Sequence, residues 1–403
     1  MSVEIRFVEA DAQGRTFLTW RPMEAKVRWT GGDPGAPTLA VELSSTSVAN
    51  AGQVDFSPTL GGQRTGTQTL QLASDGTEAS VWISGVFGAP SSRFGDVSVE
   101  ARLAGAQEVL GSKSTMVRIR KNANNLTGAE RDRFLSALAT LNGSGAGPFA
   151  QLRDMHKSQQ SLLAAHGAPG FLPWHRAYML DFERELQAID AEVTLPYWRF
   201  DQAAPNVFNL AFLGRANAAG RVQFAAGHPL LNWFTDGTAG IERGNVVGPN
   251  TVLPLLSERN TLGLGGAPNP TFAAFDVMED DPHGDAHWRH GSGFITHPIT
   301  APKDPLFFLL HCNVDRLWAK WQFAYRLDDP DNPRAFDGAS TMPGHRLNDT
   351  MWPWDTAGAP GGRLPSSAMT PAPGPSPRIR DMIDYFGRTT GGHLGFAYDD
   401  VPY

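Results

Sequence analysis

Histidine is the residue type whose positions in this sequence point to metal chemistry. The chain has 11 histidines in 403 residues, yet three fall between positions 156 and 175 and five between 283 and 311. His311 lies within an apolar stripe that repeats at helical spacing and includes Phe307, so it is predicted to face inward. Burying many unpaired imidazoles is costly, whereas a metal ion satisfies one nitrogen of each ring. The clustering therefore indicates a metal site.

The spacing of the histidines limits the kind of metal site. His283 and His287 are four residues apart behind the helix-start pair Asp281–Pro282, so both imidazoles are predicted to lie on one helical face. A zinc-protease motif needs glutamate directly after the first of them, but position 284 is glycine. Structural zinc sites favour cysteine, and the chain has one. Imidazole triads suit copper best, although spacing alone leaves zinc and iron open.

Composition excludes several other classes of protein. Apolar residues make up 41% of the chain and charged residues 19%, so a large core can form, and the net charge of −7 does not suggest nucleic acid or an anionic membrane surface as a partner. The single cysteine, Cys312, rules out an intramolecular disulfide. No apolar run is long enough to span a membrane, and the N-terminus lacks the pattern of a secretory signal, so we expect a cytoplasmic protein.

The pattern of apolar residues changes near residue 122, from one typical of strands to one typical of helices. Residues 1–121 contain seven or so segments that alternate apolar with polar side chains, which predicts an all-β, immunoglobulin-like sandwich. Thr127 and Glu130 then form a capping-box pattern that starts a helix, and helical patterns alternate with long loops to the end of the chain. We therefore predict a β-sandwich domain at 1–121 and a mainly α-helical bundle with long loops at 122–403.

Six motifs of the second region, in order, resemble those of one known family. The segments FLPWHRAYMLDFERELQ and DPLFFLLHCNVDRLWAKW, together with LPYW, MEDDPHGDAH, MWPW and LGFAYDD, are similar to landmarks of the tyrosinase and catechol oxidase family of type 3 copper proteins. The resemblance runs from Val117 to the C-terminus and does not include the β region. It implies a tyrosinase-like helical bundle that holds two copper ions.

The resemblance also implies which residues bind copper and what the protein does. The six histidines that match the family's two triads are His156, His166 and His175, then His283, His287 and His311. Members of the family are polyphenol oxidases that use dioxygen to oxidise o-diphenols to o-quinones, and some hydroxylate monophenols or act on o-aminophenols. The expected partners are thus a small phenolic substrate and dioxygen. The alternative is an oxygen-binding protein that resembles haemocyanin, and the oligomeric state is left open.

Three residues bear on the choice of phenol. Glu279 matches a glutamate that in the family holds a water together with an asparagine, but the position of that asparagine is Gly284. Position 288 is Trp, where a basic residue is associated with monophenol activity. The resemblance therefore implies that oxidation of o-diphenols exceeds hydroxylation of monophenols.

Roles other than metal binding are predicted for several residues near the triads. Phe307 matches the family's aromatic residue at the copper site. Asp315 follows His311 by one helical turn, so its carboxylate is predicted to orient that imidazole, with Arg316 balancing its charge. His290 and His297 exceed the six ligands and are interpreted either as bases near the substrate or as solvated loop residues. The remaining histidines, His228, His345 and His393, are given no role.

Overall fold

The computed structural model divides into two compact units. It describes residues 1–31, 38–264, 270–356, 362–365, 367 and 369–403. Unit 1 comprises Met1–Ile119, Ser367–Pro371 and Gly395–Tyr403, and unit 2 comprises Arg120–Ser366 and Ala372–Leu394. The terminal segment thus groups with the N-terminal β region, although its sequence follows that of the helical region. No helix in the described ranges is long and apolar enough to cross a lipid bilayer.

Unit 1 consists of two β-sheets, each of which buries one face. In β1, Val3, Ile5 and Phe7 are buried while the residues between them are exposed, which is the period of two that places alternate side chains on opposite faces. The first sheet has the strand order β1-β3-β7-β5, and the second has the order β2-β9-β8-β4-β6. The strands are β1 (Ser2–Phe7), β2 (Phe17–Leu18), β3 (Met23–Thr30), β4 (Thr38–Ser47), β5 (Val54–Ser57), β6 (Gln68–Ala73), β7 (Ala79–Gly85), β8 (Val97–Leu103) and β9 (Val109–Val117).

Neighbouring strands are antiparallel except at one edge. Ile5 of β1 pairs with Val27 of β3, and both are buried. At the edge of the second sheet, β2 runs parallel to β9, with Phe17 opposite Met116. The prediction of a seven-stranded immunoglobulin-like sandwich is not supported, because the described part of the region has nine strands, of which alternation missed β2 and β5, and alternation alone does not specify how strands pair.

The end of the chain contributes to the core of unit 1. The indole Nε1 of Trp20 donates a hydrogen bond to the carbonyl oxygen of Tyr398 at 2.8 Å, and both side chains are fully buried. The guanidinium of Arg64 lies 5.3 Å from the ring centre of Tyr403. Most of the segment LGFAYDD, which resembles a landmark of the helical family, therefore packs in the β unit.

Unit 2 contains the helices, but the prediction of a mainly α-helical bundle is wrong. Only 28% of the described residues, counted over both units, are helical. Between α4 and α5 the chain forms short hairpins and turns, and after α8 the described residues form a single 3-10 turn, Ile379–Met382. The many glycines and prolines of these stretches favour turns over helix. The helices are α1 (Gly128–Asn142), α2 (Phe149–Lys157), α3 (Gln159–Ala165), α4 (Phe171–Ile189), α5 (Glu258–Thr261), α6 (Phe272–Asp276), α7 (Asp285–Trp288) and α8 (Leu306–Tyr325), and the hairpin strands are β10 (Arg215–Ala216), β11 (Val222–Gln223), β12 (Phe234–Thr235) and β13 (Thr238–Ala239).

Helices α1 and α8 begin where capping residues in the sequence predict a helix start. Thr127 and Glu130 form the capping box of α1, each side chain bonding to the backbone N–H of the other. At the start of α8, Asp304 Oδ1 accepts a hydrogen bond from the Leu306 N–H at 3.0 Å. The same carboxylate forms a bidentate pair with the buried Arg243, which fixes the start of the helix that bears His311.

Helices α4 and α8 form the centre of unit 2. The rings of Phe182 on α4 and Phe308 on α8 stack with their centres 3.8 Å apart, and Phe149 on α2 packs edge-on against Phe308. All three are fully buried, and each contributes about 1.5–3 kcal/mol relative to an exposed ring. His175 and His311 lie on these same two helices, so this packing fixes the separation of two candidate ligands.

A buried network of charges joins these helices to the start of the unit. The Arg120 guanidinium contacts Glu183 of α4 at 2.7 Å and Asp315 of α8 at 3.1 Å, and the Nε of Arg176 donates to the other oxygen of Asp315. All four side chains are at most 3% exposed. Two buried guanidinium groups therefore share one carboxylate, and the network depends on Asp315.

We expect Asp315→Ala to lower the free energy of unfolding of unit 2 by about 3–5 kcal/mol, because the substitution leaves two buried cations short of a counter-charge. Urea unfolding, followed by the helical circular dichroism signal, measures the change. The matched control is Asp132→Ala, since Asp132 is 62% exposed in its pair with Arg131 and its removal should cost no more than about 0.5 kcal/mol. Equal stability of the two variants would show that the network does not hold the helices together.

Candidate metal centre

The first histidine triad comes from three consecutive helices. His156 lies in the last turn of α2, His166 directly follows α3, and His175 lies in the second turn of α4. His156 and His175 are 1% exposed, and His166 is half-buried. The ligand nitrogens of the three rings all lie within 4.8 Å of one another. The local sequence explains the two buried positions, because both histidines belong to apolar helical stripes.

The second triad comes from three further elements. His283 lies in the irregular helical turn Asp280–Gly284, His287 lies on α7, and His311 lies on α8. Their ligand nitrogens also lie within 4.8 Å of one another. The two triads are adjacent, since the rings of His175 and His311 stack with centres 4.3 Å apart. The structure thus brings together all six histidines that the sequence singled out.

The distances between the imidazole nitrogens fit metal ions. The Nε2 atoms of His156 and His175 are 3.4 Å apart, and those of His287 and His311 are 3.2 Å apart. Two nitrogens that are each about 2.0 Å from one ion at a tetrahedral angle are separated by about 3.3 Å. The Nε2 of the buried His283 has no hydrogen-bond partner among the described residues, so its lone pair is available to a metal ion. Each triad can therefore hold one ion.

Hydrogen bonds on the far side of the rings select the tautomer that a metal requires. The Nδ1 atoms of four histidines lie within hydrogen-bond distance of backbone carbonyl oxygens, which can only accept. The pairs are His156 with Pro298 at 3.0 Å, His175 with Phe171 at 2.9 Å, His283 with Glu279 at 2.6 Å and His287 with Ile295 at 2.7 Å. Nδ1 must therefore carry the proton in these rings, and Nε2 is left with a free lone pair.

The other two histidines lack such an orienting bond. The Nδ1 atoms of His166 and His311 make no hydrogen bond of ordinary geometry within the part of the chain that the structure describes; that of His166 only lies near the carbonyl of Leu162. His311 is held instead by packing, between the rings of His175 and Phe307. His166 depends on the backbone that carries it.

Burial keeps the six imidazoles neutral. It lowers the pKa of His166 and of His287 to about 4, and it lowers the pKa of the other four well below the usual value. Neighbouring imidazoles reinforce the effect, because a charge on one ring disfavours a charge on the next. Neutral imidazole is the form that binds metal, so the site is ready for ligation at neutral pH.

A cavity of about 190 Å³ lies over the two triads. Five of the six triad histidines line it, all except His175, together with Phe307 and the exposed Trp288. The described residues that line it are His156, His166, His283, Gly284, His287, Trp288, Thr296, Pro298, Ala301, Phe307 and His311. Apart from the histidines, these side chains carry no group that titrates near neutral pH.

The residues predicted to bear on substrate choice divide into two groups. Gly284 and Trp288 line the cavity, as does Phe307. Glu279 is not among the described lining residues, and its Oε1 accepts a hydrogen bond from the Gly167 N–H at 2.8 Å. Burial, reinforced by Asp280, raises the pKa of Glu279 to about 7. The carboxyl group is thus directed at the backbone beside His166.

The structure does not bring Asp315 to His311 as predicted. Asp315 pairs with Arg120 and Arg176, and Arg316 pairs with Glu258 at 2.8 Å. The prediction failed because an unpaired buried guanidinium costs more than an imidazole without a second hydrogen bond. Neither arginine was recognisable from the sequence as a partner of this carboxylate.

The additional histidines have distinct environments. His297 is exposed, as expected for a loop residue. His290 is completely buried beside Trp198, with no hydrogen-bond partner for either ring nitrogen among the described residues, so it is not a solvated residue. Neither of the two lines the cavity. His345, which has no role predicted from the sequence, is 1% exposed and bonds to the backbone on both sides of His166. No local pattern in the sequence marks it.

Comparison with known proteins identifies the family. Residues 146–233 and 255–324 match the family model described as the common central domain of tyrosinase. The chain is 30% identical to a tyrosinase of Streptomyces antibioticus, and the match covers 59% of this chain and 93% of that protein. It is 29% identical to grixazone synthase of Streptomyces griseus, and this match covers 60% of this chain and 94% of that protein. A functional unit of octopus haemocyanin is 18% identical, with a TM-score of 0.46 over 71% of this chain and 69% of that one. Because the match spans almost the whole length of an established tyrosinase, the chain belongs to the tyrosinase family, and its cofactor is the pair of copper ions of the type 3 copper proteins.

Proposed function

We propose that this protein is an oxidase that converts o-diphenols to o-quinones, with dioxygen as the electron acceptor. The two triads, His156, His166 and His175 and then His283, His287 and His311, would each hold one copper ion. Bound copper would supply dioxygen binding and accept electrons from the phenol. Two o-diphenols give up four electrons and four protons, which reduce one dioxygen to two waters.

The cavity over the triads is the observation that carries this proposal. Its volume of about 190 Å³ slightly exceeds the roughly 150 Å³ of a protein cavity that admits benzene. One phenolic ring therefore fits directly over the copper ligands. The aromatic faces of Phe307 and Trp288 offer apolar contact to such a ring. Trp288 is 65% exposed, so it can contact a ring that enters from solvent.

The same cavity favours o-diphenols over monophenols. Hydroxylation of a monophenol needs help in removing the phenolic proton and in steering the ring. A general base must lie within hydrogen-bond reach of that proton or of an intervening water. Glu279 does not line the cavity and its Oε1 accepts a hydrogen bond from the Gly167 N–H, and Gly284 offers no side chain that could hold a water. An o-diphenol, in contrast, can present two oxygens to the copper pair.

We expect 4-methylcatechol to be oxidised about a hundredfold or more faster than p-cresol is hydroxylated, which is the low end of what a positioned base contributes. Oxygen uptake on one copper-loaded preparation measures both rates. Comparable rates without a lag would contradict the proposed preference. Reversible oxygen binding without quinone formation would identify an oxygen carrier instead, and a panel that includes o-aminophenol would show whether such compounds are also substrates.

Gly284→Asn tests the reason for this preference. A Cβ at position 284 would meet only the carbonyl oxygen of Glu279, at 3.4 Å, so a side chain fits there. The asparagine variant should raise the p-cresol rate relative to the catechol rate. Gly284→Ala is the matched control, because it adds the Cβ without an amide to hold a water. An equal response of the two variants would exclude the amide as the missing group.

A further inference from the structure

One imidazole outside the triads closes the loop that bears His166. The loop runs from the end of α3 at Ala165 to the start of α4 at Phe171. His345 Nδ1 accepts a hydrogen bond from the Gly170 N–H at 3.1 Å, and its Nε2 donates to the Leu163 carbonyl oxygen at 3.0 Å. These two partners lie on either side of His166, so a single side chain joins both ends of the loop.

The two partners allow only one protonation state of His345. A backbone N–H can only donate, so Nδ1 must be unprotonated, and a carbonyl oxygen can only accept, so Nε2 must carry the proton. The side chain is 1% exposed, hence solvent cannot easily replace either bond. Breaking this contact would leave a buried donor and a buried acceptor without partners.

The loop that presents His345 is itself well defined. Oδ2 of Asp349 accepts hydrogen bonds from the Gly344 N–H at 2.8 Å and the Arg346 N–H at 3.2 Å. The N–H of His345 bonds to the Met342 carbonyl oxygen at 3.3 Å. The imidazole is therefore held by a closed turn and can act as a fixed support.

His166 is the candidate ligand of the first triad that most needs such support. Its two companions lie within helices, whereas His166 follows the end of α3 and has an extended backbone. Its Nδ1 lacks a hydrogen bond of ordinary geometry among the described residues. The loop has its own backbone bond from the Phe171 N–H to the Ala168 carbonyl oxygen. It is tied to the rest of the unit by the Gly167 N–H bond to Glu279 and by the two His345 bonds.

We propose that His345 is a positioning residue for copper at the first triad, acting through the backbone of the loop that bears His166. This inference rests on the proposed role of His166 as a copper ligand. Residues that orient metal ligands typically alter metal affinity by about 10–100-fold when they are replaced. Replacing His345 should weaken copper binding at the first triad and leave copper binding at the second triad unchanged.

His345→Phe and His345→Gln form the primary test. Phenylalanine keeps the ring and removes both hydrogen bonds, whereas glutamine retains one acceptor and one donor. We expect His345→Phe to lose one copper per chain at EDTA concentrations about 10–100-fold below those that the wild type tolerates, and His345→Gln to restore part of the difference. Copper content is measured by elemental analysis. An isolated copper(II) ion also gives an electron paramagnetic resonance signal that a magnetically coupled pair lacks.

His228→Phe is the matched control. His228 is likewise buried, and its Nδ1 accepts a hydrogen bond from the backbone N–H of Leu230 at 3.1 Å, but it belongs to neither triad and does not line the cavity. This variant removes the same kind of bond and should retain both ions like the wild type. An equal copper loss in His228→Phe and His345→Phe would reduce the effect to general destabilisation and overturn the proposal.

Gly170→Ala perturbs the same contact from the opposite side. A Cβ at position 170 would lie 2.4 Å from His345 Nδ1, so the imidazole must move. We expect the same selective loss of one copper, which keeps the proposal testable if His345→Phe fails to fold. Retention of both ions by folded Gly170→Ala, or by folded His345→Phe within twofold of the wild-type EDTA midpoint, would overturn it. This readout does not depend on phenol oxidation, so a wild type that binds two coppers but forms no quinone would refute only the proposed function.

Discussion

Replacing His311 with alanine is expected to lower the copper content from two ions per chain to about one and to abolish catechol oxidation. His311 is 1% exposed, and its Nε2 lies 3.2 Å from that of His287, the distance expected for two ligands of one ion. Alanine offers no donor atom, and the apolar surroundings on α8 provide no replacement ligand. The second triad would be left with two imidazoles, too few for tight binding. Elemental analysis after copper loading measures the loss.

The control for this prediction is His228→Ala, which removes a buried imidazole outside both triads. It should leave two ions per chain and full activity. Retention of both ions and of activity by His311→Ala would show that His311 is not a ligand. Complete loss of both ions would instead show that the two triads bind copper interdependently, which the stacking of His175 on His311 at 4.3 Å allows.

The inward-facing position of His311 and of His175 was predictable from the sequence because periodicity is a local property, whereas the set of six candidate ligands came from the family resemblance. The stripe that contains His311 also contains Phe307 and Trp318, and all three are buried on α8 as the spacing indicated. The same holds for His175 on α4. A histidine within such a stripe stands out against apolar neighbours, so no long-range information is needed to find it.

The groups that orient these ligands were not predictable in this way. Backbone carbonyls bind the Nδ1 atoms, and any residue type can supply a carbonyl, so Pro298 and Ile295 carry no signal in the sequence. His345 is separated from Gly170 by 175 positions. Asp315 was predicted to bind the imidazole one turn away, but the buried Arg120 and Arg176 compete for it more strongly. Side-chain partners that are distant in sequence are decided by the packed structure.

In the β region, too, local patterns predicted the positions of strands but not the pairing of residues that are distant in sequence. Alternation located most of its strands, because one face of each sheet is buried. It contained no information on the parallel pairing of β2 with β9 or on the contribution of Gly395–Tyr403 to the unit. In unit 2, glycine and proline indicated loops, yet their total length was underestimated, which is why a mainly helical bundle was expected.

The apoprotein is expected to lose stability steeply as the pH falls below about 6.5, and bound copper should shift this loss to lower pH. Burial lowers the pKa of His166 and of His287 to about 4 in the folded state, and the pKa of the other triad imidazoles is also depressed. In the unfolded chain a histidine titrates near pH 6.5. Between these values the unfolded chain binds more protons, so the free energy of unfolding falls with falling pH.

Three buried carboxyl groups oppose this trend. Desolvation raises the pKa of Asp276 to about 8, of Glu279 to about 7 and of Asp181 to about 6, so the folded state binds these protons more tightly and gains stability in acid. Burial also lowers the pKa of His290 and of His228, so eight imidazoles against three carboxyls leave a net of roughly five protons, which corresponds to at most about 7 kcal/mol per pH unit. The imidazoles therefore dominate, and the net sign is loss of stability in acid.

Urea unfolding of the apoprotein at several values between pH 7 and pH 5 measures this slope. His166→Gln is the matched variant, because it removes one titrating imidazole and should reduce the slope by about one proton, or about 1.4 kcal/mol per pH unit. In the copper-loaded protein the ligand nitrogens are occupied, so protons must first displace the metal and the transition moves to lower pH. A flat stability profile of the apoprotein across this range would contradict the lowered pKa values of the buried imidazoles, and identical profiles with and without copper would contradict their assignment to a metal site.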